Sequence, residues 1–80
     1  MIRRRPKSGL GAAGVGATVR LTDVEVQGAV RLRLAEFGLR PGAVATVLAR
    51  TAGDGRLVAL GTTRVVLDRS TASRLAVEPA

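Results

Sequence analysis

The sequence predicts a small, mainly β domain with one helix, and the evidence lies at a single junction. The segment 31–37 reads as a short helix, and Gly38 follows its last apolar residue, where a left-handed helix cap favours glycine. Pro41-Gly42 then fits the two central positions of a type II turn. The segment 43–50 beyond it is rich in β-branched and small residues, which indicates a strand. We therefore expect one helix packed beside several short strands.

The composition limits the class of protein. A chain of 80 residues fits one domain, and domains of this size bury only about 60% of the surface that the unfolded chain exposes. Because the chain contains neither cysteine nor histidine, it lacks a disulfide framework, and a transition-metal site would depend on carboxylates alone. No segment reaches the roughly 20 apolar residues of a membrane-spanning helix. We expect a cytoplasmic protein without redox chemistry.

The N-terminal segment 1–15 combines a cluster of cations with glycines. Four of the 13 basic residues lie in its first seven positions, and the remaining nine against six acidic residues leave a charge of +3 instead of +7. Such a composition buries too little apolar surface to offset the entropy that ordering removes. We predict a disordered, basic, glycine-rich arm over residues 1–15 and a folded domain over residues 16–80.

The rest of the chain predicts about five short strands. A change of apolar parity indicates that the first strand contains a bulge near Thr22-Asp23. The segment 43–50 is apolar on both faces, which is typical of a central strand. Gly53-Asp54-Gly55 and Gly61-Thr62 are typical of hairpin turns, because both tolerate positive φ angles. The expected strands are 18–26, 43–50, 56–60, 63–67 and 75–77.

The predicted helix runs from Gly28 to Phe37. The expected buried stripe consists of Val30, Leu34 and Phe37, and the residues expected to face water are Arg31, Arg33 and Glu36. A rival interpretation starts the helix at a capping box, Thr22-x-x-Glu25. It is weaker, because Val24 and Val26 favour extended backbone and Gly28 inside the helix would cost about 1 kcal/mol.

A second, shorter helical element is expected near the C-terminus, where Ser70 can cap a single turn over residues 71–74. Together, five strands, one helix and one helical turn predict a small SH3-like barrel. Closing a barrel hides strand edges that would otherwise aggregate.

No motif in the chain indicates catalysis. The segment 9–14 matches the G-x-G-x-x-G spacing of dinucleotide sites, but it lacks the preceding strand and following helix, so we interpret it as a linker. The carboxylates show no spacing typical of an acid–base pair or a cation site, and no serine lies in G-x-S-x-G. Phe37, the only aromatic residue, is expected in the core, which leaves no platform for stacking bases. We expect no enzyme, no cofactor and no metal site.

The segment 33–42, R-L-A-E-F-G-L-R-P-G, resembles the hallmark of the ferrous iron transport protein A (FeoA) family, an R-L-x-x-L/F-G-L-x-P-G core after the first strand. Segments 45–50 and 63–67 resemble later strands of that family, and 72–79 is similar to its ending. The resemblance spans residues 17–79. It implies a cytosolic, non-catalytic SH3-like barrel that works beside a membrane-bound, GTP-dependent ferrous iron permease.

The residues and the resemblance together predict an adaptor that binds the cytoplasmic part of such a permease and regulates ferrous iron uptake. Three arginines expected to be exposed and two leucines considered as exposed anchors are the candidate contacts: Arg31, Arg33, Arg40, Leu39 and Leu48. One alternative is an SH3-like accessory domain of an iron-dependent transcriptional regulator. Another is a basic nucleic-acid-binding module, whose affinity would fall steeply with salt and depend on residues 1–8.

Overall fold

The protein is seen here as a computed structural model that describes residues 8–80. Its strands are β1 (Ser8–Gly9), β2 (Thr18–Val24), β3 (Val44–Thr51), β4 (Gly55–Leu60), β5 (Thr63–Leu67) and β6 (Leu75–Pro79). They form one antiparallel sheet in the order β1-β6-β2-β3-β4-β5. Helix α1 (Gly28–Glu36) connects β2 to β3, and α2 (Arg69–Ser73) connects β5 to β6. This arrangement confirms the predicted mainly β, SH3-like fold.

Two irregularities bend the sheet. The pairing of β2 with β6 shifts register between Leu21 and Asp23, which confirms the bulge predicted at Thr22-Asp23. The pairing of β3 with β4 shifts between Val47 and Ala49. An extra residue in one strand bends that strand and increases its twist, so both shifts help a small sheet to curl around its core.

The junction between α1 and β3 has the predicted conformation. Gly38 has a φ of 94°, and the Leu39 N–H donates to the Leu34 carbonyl at 2.8 Å, as in a Schellman cap. Gly42 also has a φ of 94°, as the third position of a type II turn requires. The cap turns Leu39 under the helix, where it is 1% exposed. The expectation that Leu39 is an exposed anchor is therefore wrong.

The core is aliphatic. The largest fully buried side chains are Leu10, Leu21, Leu39, Leu75, Val47 and Val58. They come from both ends of the chain and from the central strands. In the described part of the chain, no helix is long and apolar enough to cross a membrane.

The N-terminal segment is part of the fold. Ser8 and Gly9 pair with β6, and Leu10 is 0% exposed in the core. A Cβ at position 9 would lie 2.9 Å from the Ser73 carbonyl oxygen, so glycine permits this close approach. The prediction of a disordered arm is thus wrong for residues 8–15, because strand pairing and one leucine hold the segment. The remainder of that arm, residues 1–7, lies outside the described residues.

Arg56 is the one buried cation among residues 9–80. It is 3% exposed, and its Nη2 donates to the Gly11 carbonyl at 2.6 Å. Its Nη1 donates to the carbonyls of Asp54 and Gly55 and to the Asp54 carboxylate, at 2.9 to 3.0 Å. Its Nε is buried and has no hydrogen-bond partner within residues 8–80. One guanidinium thus joins the N-terminal segment to the β3–β4 hairpin.

Both predicted hairpins are present. The β4–β5 turn has two residues and a φ of 58° at Gly61. In the β3–β4 turn, positive φ angles fall at Gly53 and Asp54, at 71° and 63°, one residue earlier than an Asp-Gly turn implies. Gly55 is extended instead, and a Cβ there would lie 2.6 Å from the Leu67 carbonyl oxygen. Gly55 is therefore required because a Cβ atom would collide with the neighbouring strand, and not because its φ angle is positive.

The cap of α2 differs from the expectation. The Thr71 N–H donates to the Asp68 Oδ1 at 2.7 Å, so Asp68 caps the helix and Ser70 lies inside it. An ionised carboxylate accepts a stronger hydrogen bond than a hydroxyl does, and it also opposes the helix dipole. The helix accordingly starts two residues earlier than predicted.

Candidate partner-binding surface

Helix α1 leaves most of its apolar side chains uncovered. Leu34 is buried, but Val30 is 51% exposed, Leu32 is 65% exposed and Phe37 is 47% exposed. The predicted buried stripe is therefore wrong at Val30 and Phe37. Of the nine residues of the helix, Leu34 is the buried one, and Leu39 takes the core position beyond the helix end.

The stripe nevertheless forms one side of a groove of about 360 Å³. Residues of α1, of β5 and of the first turn of α2 line it: Val30, Arg33, Leu34, Phe37, Val65, Val66, Leu67, Asp68 and Thr71. Its buried floor comes from Leu34, Val65 and Leu67, whereas Val66 is 64% exposed. Because the predicted stripe has the right spacing but no element of residues 8–80 covers it, it becomes a surface feature. We call this feature the α1–β5 groove.

The groove is lined by one charged side chain of each sign, Asp68 and Arg33. The Asp68 carboxylate is engaged as the cap of α2, and the hydrogen bonds from Thr71 lower the pKa of Asp68 below its ordinary value. Arg33 has no hydrogen bond or ion pair to any residue between 8 and 80. The groove therefore combines apolar walls with a cation that is free to meet an acidic group.

The candidate contact residues do not all belong to this groove. Arg33 lines it, and Arg40 is exposed in the turn before β3. The Arg31 Nη1 donates to the Val24 carbonyl at 2.6 Å, so Arg31 holds α1 to β2. Leu48 is half-buried at the irregularity of β3, and Leu39 is buried. A contact role for the exposed arginines and Leu48 stays a prediction.

Val66 is not among the predicted contact residues, although the sequence contains a signal for its exposure. In β5 the burial alternates, with Val65 and Leu67 inward and Val66 outward, as period two requires. Among residues 8–80 there is no cluster of three or more metal-ligating side chains of the His, Cys, Asp and Glu types.

Comparisons with known proteins agree with this fold. A family model described as the FeoA domain matches residues 9–79. Among solved structures, the FeoA protein from Chlorobium tepidum superposes with a TM-score of 0.82 at 29% identity, covering 89% of this chain and 69% of that one. Iron(II) transport protein A from Clostridium thermocellum gives a TM-score of 0.82 at 23% identity, a likeness of fold. That match covers 90% of this chain, which spans 45% of the Clostridium protein.

A regulator of another kind shares the architecture. A manganese-dependent transcriptional repressor superposes with a TM-score of 0.80 at 26% identity, covering 99% of this chain and 45% of the repressor. No curated protein sequence matches the chain.

Proposed function

Because this chain belongs to the FeoA domain family, we propose that it acts in ferrous iron uptake as a non-catalytic, cytoplasmic adaptor. Its partner is the cytoplasmic part of a ferrous iron permease, and binding regulates transport. The single observation that carries the proposal is the α1–β5 groove, with Val30 and Phe37 left about half exposed. Apolar side chains gathered at one place on a small domain mark an interaction surface.

The groove can supply useful binding energy. Burying a whole Val or Phe side chain contributes about 1.5 to 3 kcal/mol, so covering the exposed halves of Val30 and Phe37 contributes about 2 kcal/mol together. That is more than a tenfold change in affinity. The unpaired Arg33 adds selectivity for an acidic partner more than it adds affinity.

The titratable groups support binding over catalysis. The carboxyls with a clearly shifted pKa in the described part of the chain are Asp54 and Asp68. The Arg56 hydrogen bond and charge lower the pKa of Asp54, and the hydrogen bonds from Thr71 lower that of Asp68. Both shifts thus arise from structural contacts of exposed carboxylates and not from a catalytic cleft.

The test uses the double variant Val30→Ser/Phe37→Ser and the purified cytoplasmic part of the permease in isothermal titration calorimetry. We expect at least a tenfold loss of affinity, because both apolar contacts disappear. The matched control is Val44→Ser, which replaces a valine that is 45% exposed in β3 and does not line the groove. This control should bind within about twofold of wild type.

The same variants are then compared in a strain that lacks this protein. The double variant should fail to restore ferrous iron uptake, while Val44→Ser restores it. If the wild-type protein does not bind the permease and its deletion leaves uptake unchanged, the adaptor role is wrong.

The likeness to the manganese-dependent repressor favours a second candidate, an SH3-like accessory domain of a metal-dependent transcriptional regulator. This role predicts that deletion changes the transcription of metal-regulated genes while permease binding is absent. Transcript profiling of the same deletion strain separates the two candidates.

A further inference from the structure

The strand β5 has an open edge beside the groove. Within residues 8–80, β5 pairs with β4 and with no other strand. The two-residue turn sets the closing pair Leu60↔Thr63, so the main-chain groups of β5 alternate between β4 and the open edge from there on. By this alternation, the N–H and C=O groups of Arg64 and Val66 face the open edge. Outside the β4–β5 ladder, neither residue makes a main-chain hydrogen bond to another described residue.

The open edge and the apolar stripe of α1 flank the same space. Residues 65–67 of β5 line the groove from one side, and Val30 and Phe37 line it from the other. An extended segment lying in the groove can therefore pair its backbone with Arg64 and Val66. Its alternate side chains then reach the helix, which is the geometry of β-strand addition.

We propose that the α1–β5 groove binds an extended segment of the partner as an additional strand on β5, with apolar residues alternating with acidic ones. The inference rests on the proposed adaptor function and specifies how the partner is held. The apolar residues cover Val30 and Phe37. The acidic residues lie on the opposite face of the added strand, beside Arg64, which is exposed and has no ion-pair partner in the described chain.

Charge also argues against a second copy of this chain as the occupant. In the antiparallel register that pairs both outward-facing residues of two β5 strands, Arg64 of one copy lies opposite Val66 of the other. The two Arg64 side chains then occupy diagonal positions about 7 to 8 Å apart on one face, where like charges repel. A short edge strand carrying an exposed cation is also a common protection against self-pairing. An acidic strand turns the same arginine into an attractive contact.

The first test uses two capped heptapeptides, one alternating Glu and Val and one alternating Lys and Val, titrated into the ¹⁵N-labelled full chain. The Glu-Val peptide should slow amide hydrogen exchange at Arg64 and Val66, because those N–H groups become hydrogen-bonded. The Lys-Val peptide should bind at least tenfold more weakly. Unchanged exchange at both amides, or equal binding of the two peptides, would overturn the proposal.

The second test removes one backbone donor. Val66→Pro deletes an N–H that faces the open edge and leaves the ladder with β4 intact, so at least a tenfold loss of Glu-Val peptide affinity is expected. The matched control, Val66→Thr, has nearly the same shape and keeps the N–H, and it should bind within about threefold of wild type. Equal affinity of the proline variant and wild type contradicts strand addition. If Val66→Pro does not fold, as judged by circular dichroism, Arg64→Glu replaces it, with the same tenfold loss expected and the opposite preference between the two peptides.

The permease experiment keeps the two proposals separate. If Val30→Ser/Phe37→Ser weakens permease binding and Val66→Pro does not, the adaptor role stands and strand addition is wrong. If the wild-type protein binds the Glu-Val peptide but not the permease, strand addition stands and the permease is the wrong partner. A dimer of the wild-type chain in light scattering that Val66→Pro abolishes would assign the edge to a second copy and overturn the proposal.

Discussion

The two ends of the sheet, at β1 and at β5, differ in how far their residues are packed against the rest of the molecule. At the β1 end, a two-residue strand covers β6, Leu10 enters the core and Arg56 binds the adjoining turn. At the β5 end, no described strand covers the edge, and Val66 remains 64% exposed. At the β1 end, the hydrogen-bonding groups and the apolar side chain contact other parts of the same molecule. At the β5 end, the strand edge and Val66 are exposed and can contact a partner. Stability should therefore depend on the β1 end and partner binding on the β5 end.

Two arginines illustrate the same contrast. Arg56 is 3% exposed and donates to three carbonyls and one carboxylate, whereas Arg64 is exposed and has no partner among residues 8–80. Net charge does not distinguish them. Their positions in the sheet distinguish them, so a substitution of Arg56 should affect the stability of the fold and a substitution of Arg64 should affect partner binding.

The largest effect is expected for Arg56→Ala. The change leaves the Gly11 and Gly55 carbonyls without their buried donor, and it opens a cavity. We expect the free energy of unfolding to fall by about 3 to 4 kcal/mol, measured by urea denaturation. The control Arg64→Ala should change it by less than about 0.5 kcal/mol. Similar losses for the two variants would show that the β1 end is not the stabilising one.

The next effect is expected for Leu10→Ala. Because Leu10 is 0% exposed, truncation should lower the free energy of unfolding by about 3 kcal/mol in the same assay. The comparison is Phe37→Ala at the groove, where 47% of the residue is already exposed and the loss should be about 1 kcal/mol. A larger loss at Phe37 than at Leu10 would reverse the contrast between the two regions.

The smallest effect is expected from pH. The pKa values of Asp54 and Asp68 are both lowered below the ordinary value of 3.8, by Arg56 in one case and by the Thr71 hydrogen bonds in the other. A carboxyl whose pKa is lower in the folded state stabilises the fold above the ordinary pKa, and this contribution is lost as the pH falls through the folded-state pKa. The melting temperature should therefore decline below about pH 4.

The variants Asp54→Asn and Asp68→Asn test that assignment, because each removes one titrating group. Each should flatten the decline in melting temperature between about pH 4 and pH 2. Glu36→Gln is the control, since Glu36 is exposed on α1. If only the control flattens the curve, the two aspartates do not carry the acid sensitivity.

Local conformation could be predicted at positions where the backbone geometry favours one residue type, such as glycine or proline. Gly38 and Pro41-Gly42 identify the cap and the turn, and the parity change identifies the bulge at Thr22-Asp23. The R-L-x-x-F-G-L-x-P-G pattern, which carries the family resemblance, includes these positions. That junction was therefore the part of the sequence from which the fold could be inferred.

Features that depend on distant contacts were less predictable. A strand of two residues has no periodicity, so nothing in Ser8–Gly9 indicates that this segment pairs with β6. Helical spacing identifies Val30 and Phe37 as one face but does not say what covers that face. In contrast, Arg56 shares its strand parity with the buried Val58, which is a usable signal for an inward-pointing cation. For α2, Asp68 and Ser70 are both good cap residues, and sequence spacing alone does not choose between them.

The pairing of β1 with β6 has a consequence for biosynthesis. Leu10 leaves the ribosome early, but the strand that shelters it, Leu75–Pro79, is translated much later. Until then Leu10 lacks its neighbours from the C-terminal segment, and the flank of β2 that pairs with β6 is unpaired and exposed to other nascent chains. The sheet can therefore be completed only after Pro79 has been translated, so the pairing of β6 with β1 and β2 is a late step in folding.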